Sequence, residues 1–163
     1  MHDQQKDQGN MIGLDQIDRQ ILTVLQKKGR LSNADLAAAV HLSASACHRR
    51  VQRLETEGYI QDYVARLNSR KMGRPTTVFV EITLSGQADE VLDAFEKAVV
   101  QVPDVLECHL MAGSADYLLK VVAGDTEDFA RIHRKHLAKL PGVAQLQSSF
   151  SLRTVQNTTA LPV

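Results

Sequence analysis

The sequence predicts an α+β chain in which a bundle of three short helices precedes a β-α-β-β-α-β domain. Up to about residue 58, apolar residues recur at the three-to-four-residue period of a helix. Beyond residue 76, stretches with this period alternate with runs in which every second residue is apolar, which is the period of a strand. We therefore expect an N-terminal helix-turn-helix domain of the winged type and a C-terminal ferredoxin-like domain.

The first two helices are indicated by their capping residues. The first is predicted to run from Asp15 to Lys28, with Asp15 as its N-cap and Gly29 after its end. The second is predicted to begin at Ser32, and Asp35, three residues further on, makes a capping-box variant with the shorter carboxylate. Both helices carry an apolar face, so they can pack on one another.

The third helix is predicted to run from Ser43 to Gly58. Leu42 before its cap and Cys47 after it have the spacing of a hydrophobic staple. The turn before this helix has helix-turn-helix proportions, but it holds His41 where many such proteins have glycine. If this residue must adopt a positive φ, histidine is among the less penalised alternatives.

The remaining chain follows the order of a split β-α-β fold. Residues 59–67 are predicted to be extended or to form a hairpin, and residues 71–75, KMGRP, a hinge. The elements that follow are strands at 77–84, 105–111, 117–122 and 143–152, and helices at 87–101 and 126–140. This order leaves one sheet face without helices and leaves open edges, and either feature favours self-association.

Charge is divided unevenly along a chain whose formal net charge is zero. Residues 15–75 hold 11 lysines and arginines against 6 aspartates and glutamates, a net charge of +5; residues 76–163 hold 7 against 11, a net charge of −4. This asymmetry favours a polyanionic partner for the first half. Because no apolar run approaches the roughly 18 residues of a membrane span and no signal sequence is evident, we expect a cytoplasmic protein.

One side of the third helix has the character of a DNA-reading surface. When Cys47, Val51 and Leu54 face inwards, helical geometry turns the following residues outwards: Ser45, His48, Arg49, Gln52, Arg53 and Thr56. Arginine and glutamine suit the edges of guanine and adenine in the major groove, and Ser43 and Ser45 at the first turn suit a phosphate. The alternative is a solvated face on which Arg49, Arg50 and Arg53 pair with Glu55 and Glu57; the net charge and the spacing of the helices favour double-stranded DNA.

Several segments together resemble the Lrp/AsnC (leucine-responsive, feast/famine) transcription regulators. They are LDQIDRQILTVLQKKGRLSNADLA, LSASACHRRVQRLETEGYIQDYVARLN, VLECHLMAGSADYLLKVV, LPGVAQLQSSF and the terminal TTALPV. The resemblance runs from about Leu14 to the C-terminus. It implies an ACT-like (RAM) C-terminal domain, homodimers formed through the sheets and often assembled into octamers, and control of DNA binding by a free amino acid.

The resemblance also implies where the effector binds. The pocket would lie at a subunit interface, and its residues would be Met111, Gly113, Ser114, Asp116, Ala138, Ser148 and Ser149. Gly113 would let backbone amides approach a carboxylate, and Asp116 could hold an α-ammonium group. Alternatively, Asp116 caps its turn or forms a salt bridge between subunits. Apart from this non-covalent effector, we expect no cofactor.

These expectations divide the chain into five parts. Residues 1–13 are predicted to be a flexible tail, 14–63 the DNA-binding domain, 64–76 a linker, 77–155 the ligand-sensing and oligomerisation domain, and 156–163 a C-terminal tail.

Two other classes of function are less well supported by the residues. An enzyme or metal site would start from His133 and His136, which are spaced to place two imidazoles on one metal, but no motif supplies a third ligand. No phosphate loop or nucleophile motif is present in the sequence, and Cys47 and Cys108 read as small buried hydrophobes. A separate sensor that binds RNA or protein would need exposed aromatic residues, and Tyr59 and Tyr63 lie off the helix face. We therefore expect a regulator that catalyses no reaction and holds no metal.

Overall fold

The computed structural model describes residues 13–163, and these residues form two compact units. The N-terminal unit contains the described residues up to Ala65 together with Gln156–Val163, and the C-terminal unit contains Arg66–Val155. The division between Ala65 and Arg66 lies inside the predicted linker of residues 64–76. The predicted N-terminal tail, except for Gly13, lies outside the described residues. No described helix is long and apolar enough to cross a bilayer.

The N-terminal unit is the expected bundle of three helices, each starting at its predicted cap. The helices are α1 (Gln16–Lys27), α2 (Asn33–Ala39) and α3 (Ala44–Thr56). The reciprocal capping box is on α1, where the backbone N–H of Asp18 donates to Asp15 at 2.8 Å and the N–H of Asp15 donates to Asp18 at 3.1 Å. The box predicted on α2 is one-sided. The Ser32 hydroxyl accepts from the N–H of Asp35 and donates to its carboxylate at 2.6 Å, which leaves no reciprocal bond to the Ser32 backbone.

The turn before α3 confirms the conditional expectation for His41. Its φ is +56°, and it is the one non-glycine residue in the described chain with a positive φ. Ile21 of α1 and Cys47 and Leu54 of α3 are fully buried and form the centre of the core. After α3, residues 59–67 form no strand, so the hairpin alternative is wrong and the segment is irregular.

The C-terminal unit has the predicted ferredoxin-like order. Its elements are β1 (Thr76–Leu84), α4 (Asp89–Val99), β2 (Val105–Leu110), β3 (Tyr117–Ala123), α5 (Thr126–Lys135), a short 3₁₀-helix (Leu137–Lys139) and β4 (Val143–Phe150). The strands lie in the order β2-β3-β1-β4, and every neighbouring pair is antiparallel. The helix predicted at residues 126–140 is shorter in the structure, because α5 ends at Lys135. The 3₁₀ geometry that follows places Leu137 and Leu140 on one side, so both are buried.

One face of the sheet is covered by helices and the other is not. Val80 and Ile82 of β1 lie in the core with Phe95 of α4 and Phe129 and Ile132 of α5. On the opposite face, which we call the outer face, the side chains are exposed or half-buried. These residues are Thr77, Phe79, Glu81, Thr83, Glu107, His109, Leu118, Lys120, Val122, Gln145, Gln147 and Ser149.

The segments predicted as the hinge and the C-terminal tail both make specific polar contacts. Residues 68–73 form a helical turn, and Arg74 binds Asp128 at 2.6 Å and Asp104 at 3.3 Å, so this stretch is fastened to the C-terminal unit. Within the N-terminal unit, the C-terminal segment lies against α1. Gln26 donates from Nε2 to the carbonyl of Leu161 at 3.1 Å, and its Oε1 accepts from the N–H of Leu161 at 2.5 Å.

Candidate functional site

The outward side of α3 carries an exposed polar row. Ser45, His48, Arg49 and Gln52 are all exposed. We call these four residues the reading row. At the start of the helix, the Ser43 hydroxyl accepts from the N–H of Ala46 at 3.2 Å and lies 3.3 Å from the Ser45 hydroxyl. The Ser43 hydroxyl is thus the N-cap of α3. The first turn still presents amide groups that have no partner within the helix.

Arg53 is predicted to lie on the same surface, but its guanidinium is bonded to Asp18 of α1 instead. The Asp18 side chain is completely buried, and its second oxygen accepts from Nη1 of Arg50 at 2.8 Å. The same Nη1 also donates to Asp15 at 2.6 Å. Arg53 keeps a 41% exposed side chain, while its buried Nε has no hydrogen-bond partner in the described residues. Arg53 is thus held by Asp18 where Arg49 is not, and its predicted contact with DNA stays a prediction.

These contacts form what we call the Asp18 cluster, which consists of Asp15, Asp18, Arg50 and Arg53. The backbone N–H of Asp18 and the guanidinium of Arg50 hold the pKa of the Asp15 carboxyl below its usual value of 3.8. The hydrogen bonds that Arg50 donates to Asp15 and Asp18 raise the pKa of its guanidinium above the usual value. Both arginines of the cluster are thus neutralised locally by aspartates. Among the described residues, Arg49 is the arginine of α3 that makes no ion pair.

The burial and pairing of Asp18 were not predicted, although the sequence holds a signal for them. The position of Asp18 in α1 lies in register with Leu14, Ile21 and Leu22, which are buried. A carboxylate in an apolar stripe needs a cationic partner, because an unpaired buried charge is strongly unfavourable. An arginine-rich helix packed on the same stripe supplies that cation.

The turn predicted to bind the effector is closed by its own hydrogen bonds. Asp116 Oδ2 accepts from the N–H of Leu84 at 2.7 Å, and Oδ1 accepts from Nε2 of Gln87 at 2.9 Å. The N–H of Met111 donates to the Asp116 carbonyl at 2.8 Å. These side-chain bonds hold the Asp116 carboxylate against the end of β1 and the loop that follows it, and the predicted role of Asp116 in effector binding stays a prediction. A carboxylate has about four acceptor sites, so further bonds to a ligand are possible.

A cavity of about 190 Å³ lies beside this turn on the outer face of the sheet. Its lining is polar and consists of Glu81, Thr83, Ser114, Ala115, Gln145 and Gln147. Of the seven predicted effector residues, Ser114 alone lines it. Met111 and Gly113 are exposed on the turn, and Ala138 is exposed in the 3₁₀-helix. A Cβ at Gly113 would meet nothing within 4 Å, so the chain alone does not require glycine there.

The two predicted serines of β4 face opposite sides of the sheet. Ser148 pairs with Val80 on the helix side, and Ser149 pairs with Phe79 on the outer face. They cannot both point into one cavity of a single chain. The four residues of the cavity that were missed, Glu81, Thr83, Gln145 and Gln147, are the outward positions of the period-two pattern in β1 and β4, and this pattern was the available signal.

The two histidines with metal-ligand spacing contact other groups. The ring of His133 lies 6.2 Å from that of Phe129, and His136 is the C-cap of α5. Within residues 13–163, no three side chains of the metal-binding types come together.

Comparison with known proteins assigns each unit to a family model. Residues 14–61 match the model of a winged helix-turn-helix DNA-binding domain, and residues 77–161 match that of the Lrp/AsnC ligand-binding domain. The chain is 41% identical over 150 residues to the leucine-responsive regulatory protein of Klebsiella pneumoniae, which covers 92% of each protein. It is 42% identical over 153 residues to the Bkd operon transcriptional regulator of Pseudomonas aeruginosa, covering 94% of this chain and 100% of that one.

Solved structures give the same assignment. A transcriptional regulator of Neisseria meningitidis in complex with L-methionine superposes with a TM-score of 0.87 and 36% identity, covering 91% of this chain and 96% of that one. An AsnC-family regulator of Agrobacterium tumefaciens also gives 0.87, with 37% identity and coverage of 91% and 97%. These relatives are regulators and not enzymes. The chain belongs to the Lrp/AsnC family, as a transcription regulator that joins a DNA-binding helix-turn-helix domain to a ligand-binding domain.

Proposed function

We propose that a free amino acid, bound next to the turn of residues 111–116, controls how this regulator binds DNA. The observation that carries the proposal is the polar cavity beside that turn, which combines a carboxylate, hydroxyl groups and amides. Such a set matches the ammonium and carboxylate groups that all amino acids share. The relative from Neisseria meningitidis was solved with L-methionine, which supports this class of ligand. A transcription regulator acts where the chromosome lies, so we place it in the cytoplasm.

We assign the two ends of the effector to different parts of the turn. Gly113 and Ser114 are exposed, and their backbone amides would bind the α-carboxylate. Asp116 would bind the α-ammonium with its remaining acceptor sites, while its bonds to Leu84 and Gln87 hold the carboxylate in place. Six of the predicted residues do not line the cavity of one chain; they are Met111, Gly113, Asp116, Ala138, Ser148 and Ser149. They would reach the effector only if a second subunit completes the pocket.

We propose that a second copy of the chain packs on the outer face. Phe79, Leu118 and Val122 are apolar, and Phe79 is 39% exposed there. An apolar sheet face of this kind favours self-association. On edge strand β2 and just after it, Leu106, Leu110 and Met111 are exposed as well. This second patch supports further assembly of dimers, up to the octamer that the family resemblance implies.

Light scattering and sedimentation test the proposed assembly. Phe79→Lys should convert the dimer to monomer, because a lysine would have to be buried against apolar side chains of the partner. Leu110→Lys should leave the dimer and remove only larger species. A monomeric parent protein, or a Phe79→Lys variant that stays dimeric, would refute the proposed interface.

The effector is tested by thermal shift with the twenty amino acids, followed by calorimetric titration. A ligand that binds the native state raises the unfolding temperature, by mass action. Asp116→Ala should abolish the response to the amino acid found, whereas Asp89→Asn, an exposed acid on α4, should keep it. An unchanged titration of Asp116→Ala would remove Asp116 from the site.

The DNA surface that we propose comprises Ser43 and the reading row. A dimer would present two copies of α3 to successive major grooves about 34 Å apart. Affinity should fall steeply as salt is added, because phosphate contacts release condensed counterions. A complex that is insensitive to salt would contradict this surface.

A further inference from the structure

Three arginines lie within five consecutive residues of α3, and their side chains have different contacts. Arg50 and Arg53 are both bonded to Asp18, while Arg49 is exposed and has no ion pair in residues 13–163. We propose that Asp18 is a positioning residue for DNA recognition: it holds Arg50 and Arg53, fixes the rotation of α3 about its axis, and leaves Arg49 as the arginine that reads the duplex.

The position of Asp18 gives it control over the rotation of α3. Arg50 and Arg53 are three residues apart and therefore lie on one side of the helix, one turn from each other. One fully buried carboxylate receives both, with one oxygen for each guanidinium. Rolling α3 in either direction would pull one guanidinium away and leave a buried oxygen without a charged partner, which is strongly unfavourable. The cluster therefore selects one orientation.

In this orientation the side chains of the reading row are exposed. Arg49 has Ser45 one turn before it and Gln52 one turn after it, and all three are exposed. None of them carries negative charge. Arg49 and Gln52 are the side-chain types that bind guanine and adenine in bidentate fashion. Arg53, by contrast, has one guanidinium edge committed to Asp18, so it lacks the free fork that bidentate reading needs.

The experiment compares three variants of the full chain: Arg49→Ala, Arg53→Ala and Asp18→Asn. The probe is a duplex selected from a random library by the unaltered protein, and a shuffled duplex of the same composition measures non-specific binding. The unfolding temperature of each variant is recorded as well. Arg30→Ala, which removes an exposed charge outside α3, is the matched control for loss of one positive charge.

Arg49→Ala should weaken binding to the selected duplex about tenfold or more without lowering the unfolding temperature. Arg53→Ala should lower the unfolding temperature and weaken binding less than Arg49→Ala. Arg30→Ala should affect both duplexes equally and slightly.

Asp18→Asn distinguishes a positioning role from a purely structural one. It removes a negative charge from the DNA-binding domain, so electrostatics alone predicts tighter binding to both duplexes. Positioning predicts that affinity for the shuffled duplex is kept or rises, while the ratio of selected to shuffled affinity falls about tenfold. The inference is overturned if this ratio is unchanged, or if Arg53→Ala loses as much selected binding as Arg49→Ala at an unchanged unfolding temperature. If Asp18→Asn does not fold, the comparison of Arg49→Ala with Arg53→Ala decides.

Discussion

At the scale of single residues, the Asp18 cluster couples the stability of the N-terminal unit to its DNA surface. Asp18 has no contact with solvent, whereas Arg50 and Arg53 keep 27% and 41% of their side chains exposed. If the pairing is broken, the two arginines can turn to water, but the carboxylate cannot. Removing the arginines should therefore cost more unfolding free energy than removing the charge of Asp18.

This asymmetry leads to a stability prediction. The double variant Arg50→Ala/Arg53→Ala should lose about 3–5 kcal/mol of unfolding free energy, because it leaves a buried carboxylate without a cation. Asp18→Asn should lose less, since it removes the buried charge and leaves arginines that reach solvent. Urea denaturation measures both. Equal losses, or a larger loss for Asp18→Asn, would contradict the unequal exposure on which the prediction rests.

The caps and the cluster also determine how the protein responds to acid. The Asp15 carboxyl has a pKa below 3.8 in the folded protein, because it accepts the N–H of Asp18 and binds Arg50. A folded pKa below the unfolded one contributes stability that is present above pH 3.8 and is lost as the pH falls through the folded value. The pKa of Asp128 is lowered in the same way, by the N–H of Gly124 and by Arg131.

We therefore expect the unfolding temperature to drop as the pH is lowered below 3.8. Asp15→Asn should make this drop shallower, because asparagine still caps a helix but does not titrate. Thermal unfolding across this range is the measurement, and Asp62→Asn, in an exposed loop of the same unit, is the control. A drop as steep in Asp15→Asn as in the parent chain would show that other carboxyls account for the acid response.

At the scale of elements, the starts of the helices were predictable and some of their ends were not. Asp15, Ser32 and Ser43 cap because their side chains reach amides within the next turn, which is a local property. The end of α5 depends instead on burying Leu137 and Leu140 under the sheet, a tertiary demand that helical periodicity does not contain.

The same distinction explains the candidate sites. The reading row of α3 followed from helical geometry, since one face of a helix is a local property. The roles of Asp18 and Arg53 depended on which helix packs against α3. The cavity residues of β1 and β4 are separated by about 60 positions and meet only through strand pairing. The residues expected near Ala138 and Ser148 came from family resemblance, and they stay a prediction.

The turn before β4 provides a test at this scale. Gly142 has a φ of +73°, and a Cβ there would lie 2.8 Å from Cγ1 of Val91. Gly142→Ala should lower the unfolding free energy by about 1–3 kcal/mol, since it adds both backbone strain and a steric clash. Gly86→Ala is the matched control, because a Cβ at Gly86 meets nothing within 4 Å. A difference of less than about 0.5 kcal/mol between these variants, measured by urea denaturation, would contradict the geometry of this turn.

At the scale of the whole molecule, the chain separates its two interactions along the sequence. Residues 14–61 match the helix-turn-helix model and residues 77–161 match the ligand-binding model. Four of the 11 basic residues counted in 15–75 fold with the C-terminal unit; they are Arg66, Arg70, Lys71 and Arg74. Control of one unit by a ligand of the other then requires that the ligand bind two states of the protein with different affinity.

That requirement gives a quantitative expectation for the effector. If the amino acid changes the affinity for the selected duplex by some factor, saturating duplex must change the affinity for the amino acid by the same factor, which is commonly about 5–150-fold. Calorimetric titration of the amino acid into the free protein and into the protein–duplex complex measures one side, and duplex binding with and without the amino acid measures the other. In Asp116→Ala, which should no longer bind the amino acid, adding the amino acid should leave the duplex affinity unchanged, whereas Asp89→Asn should keep both factors. Sedimentation must show the same assembly state throughout, because a change in subunit number adds a third equilibrium. Two unequal factors at constant assembly would mean that amino acid and DNA do not act on one shared equilibrium, and the proposed control of DNA binding through the turn of residues 111–116 would be wrong.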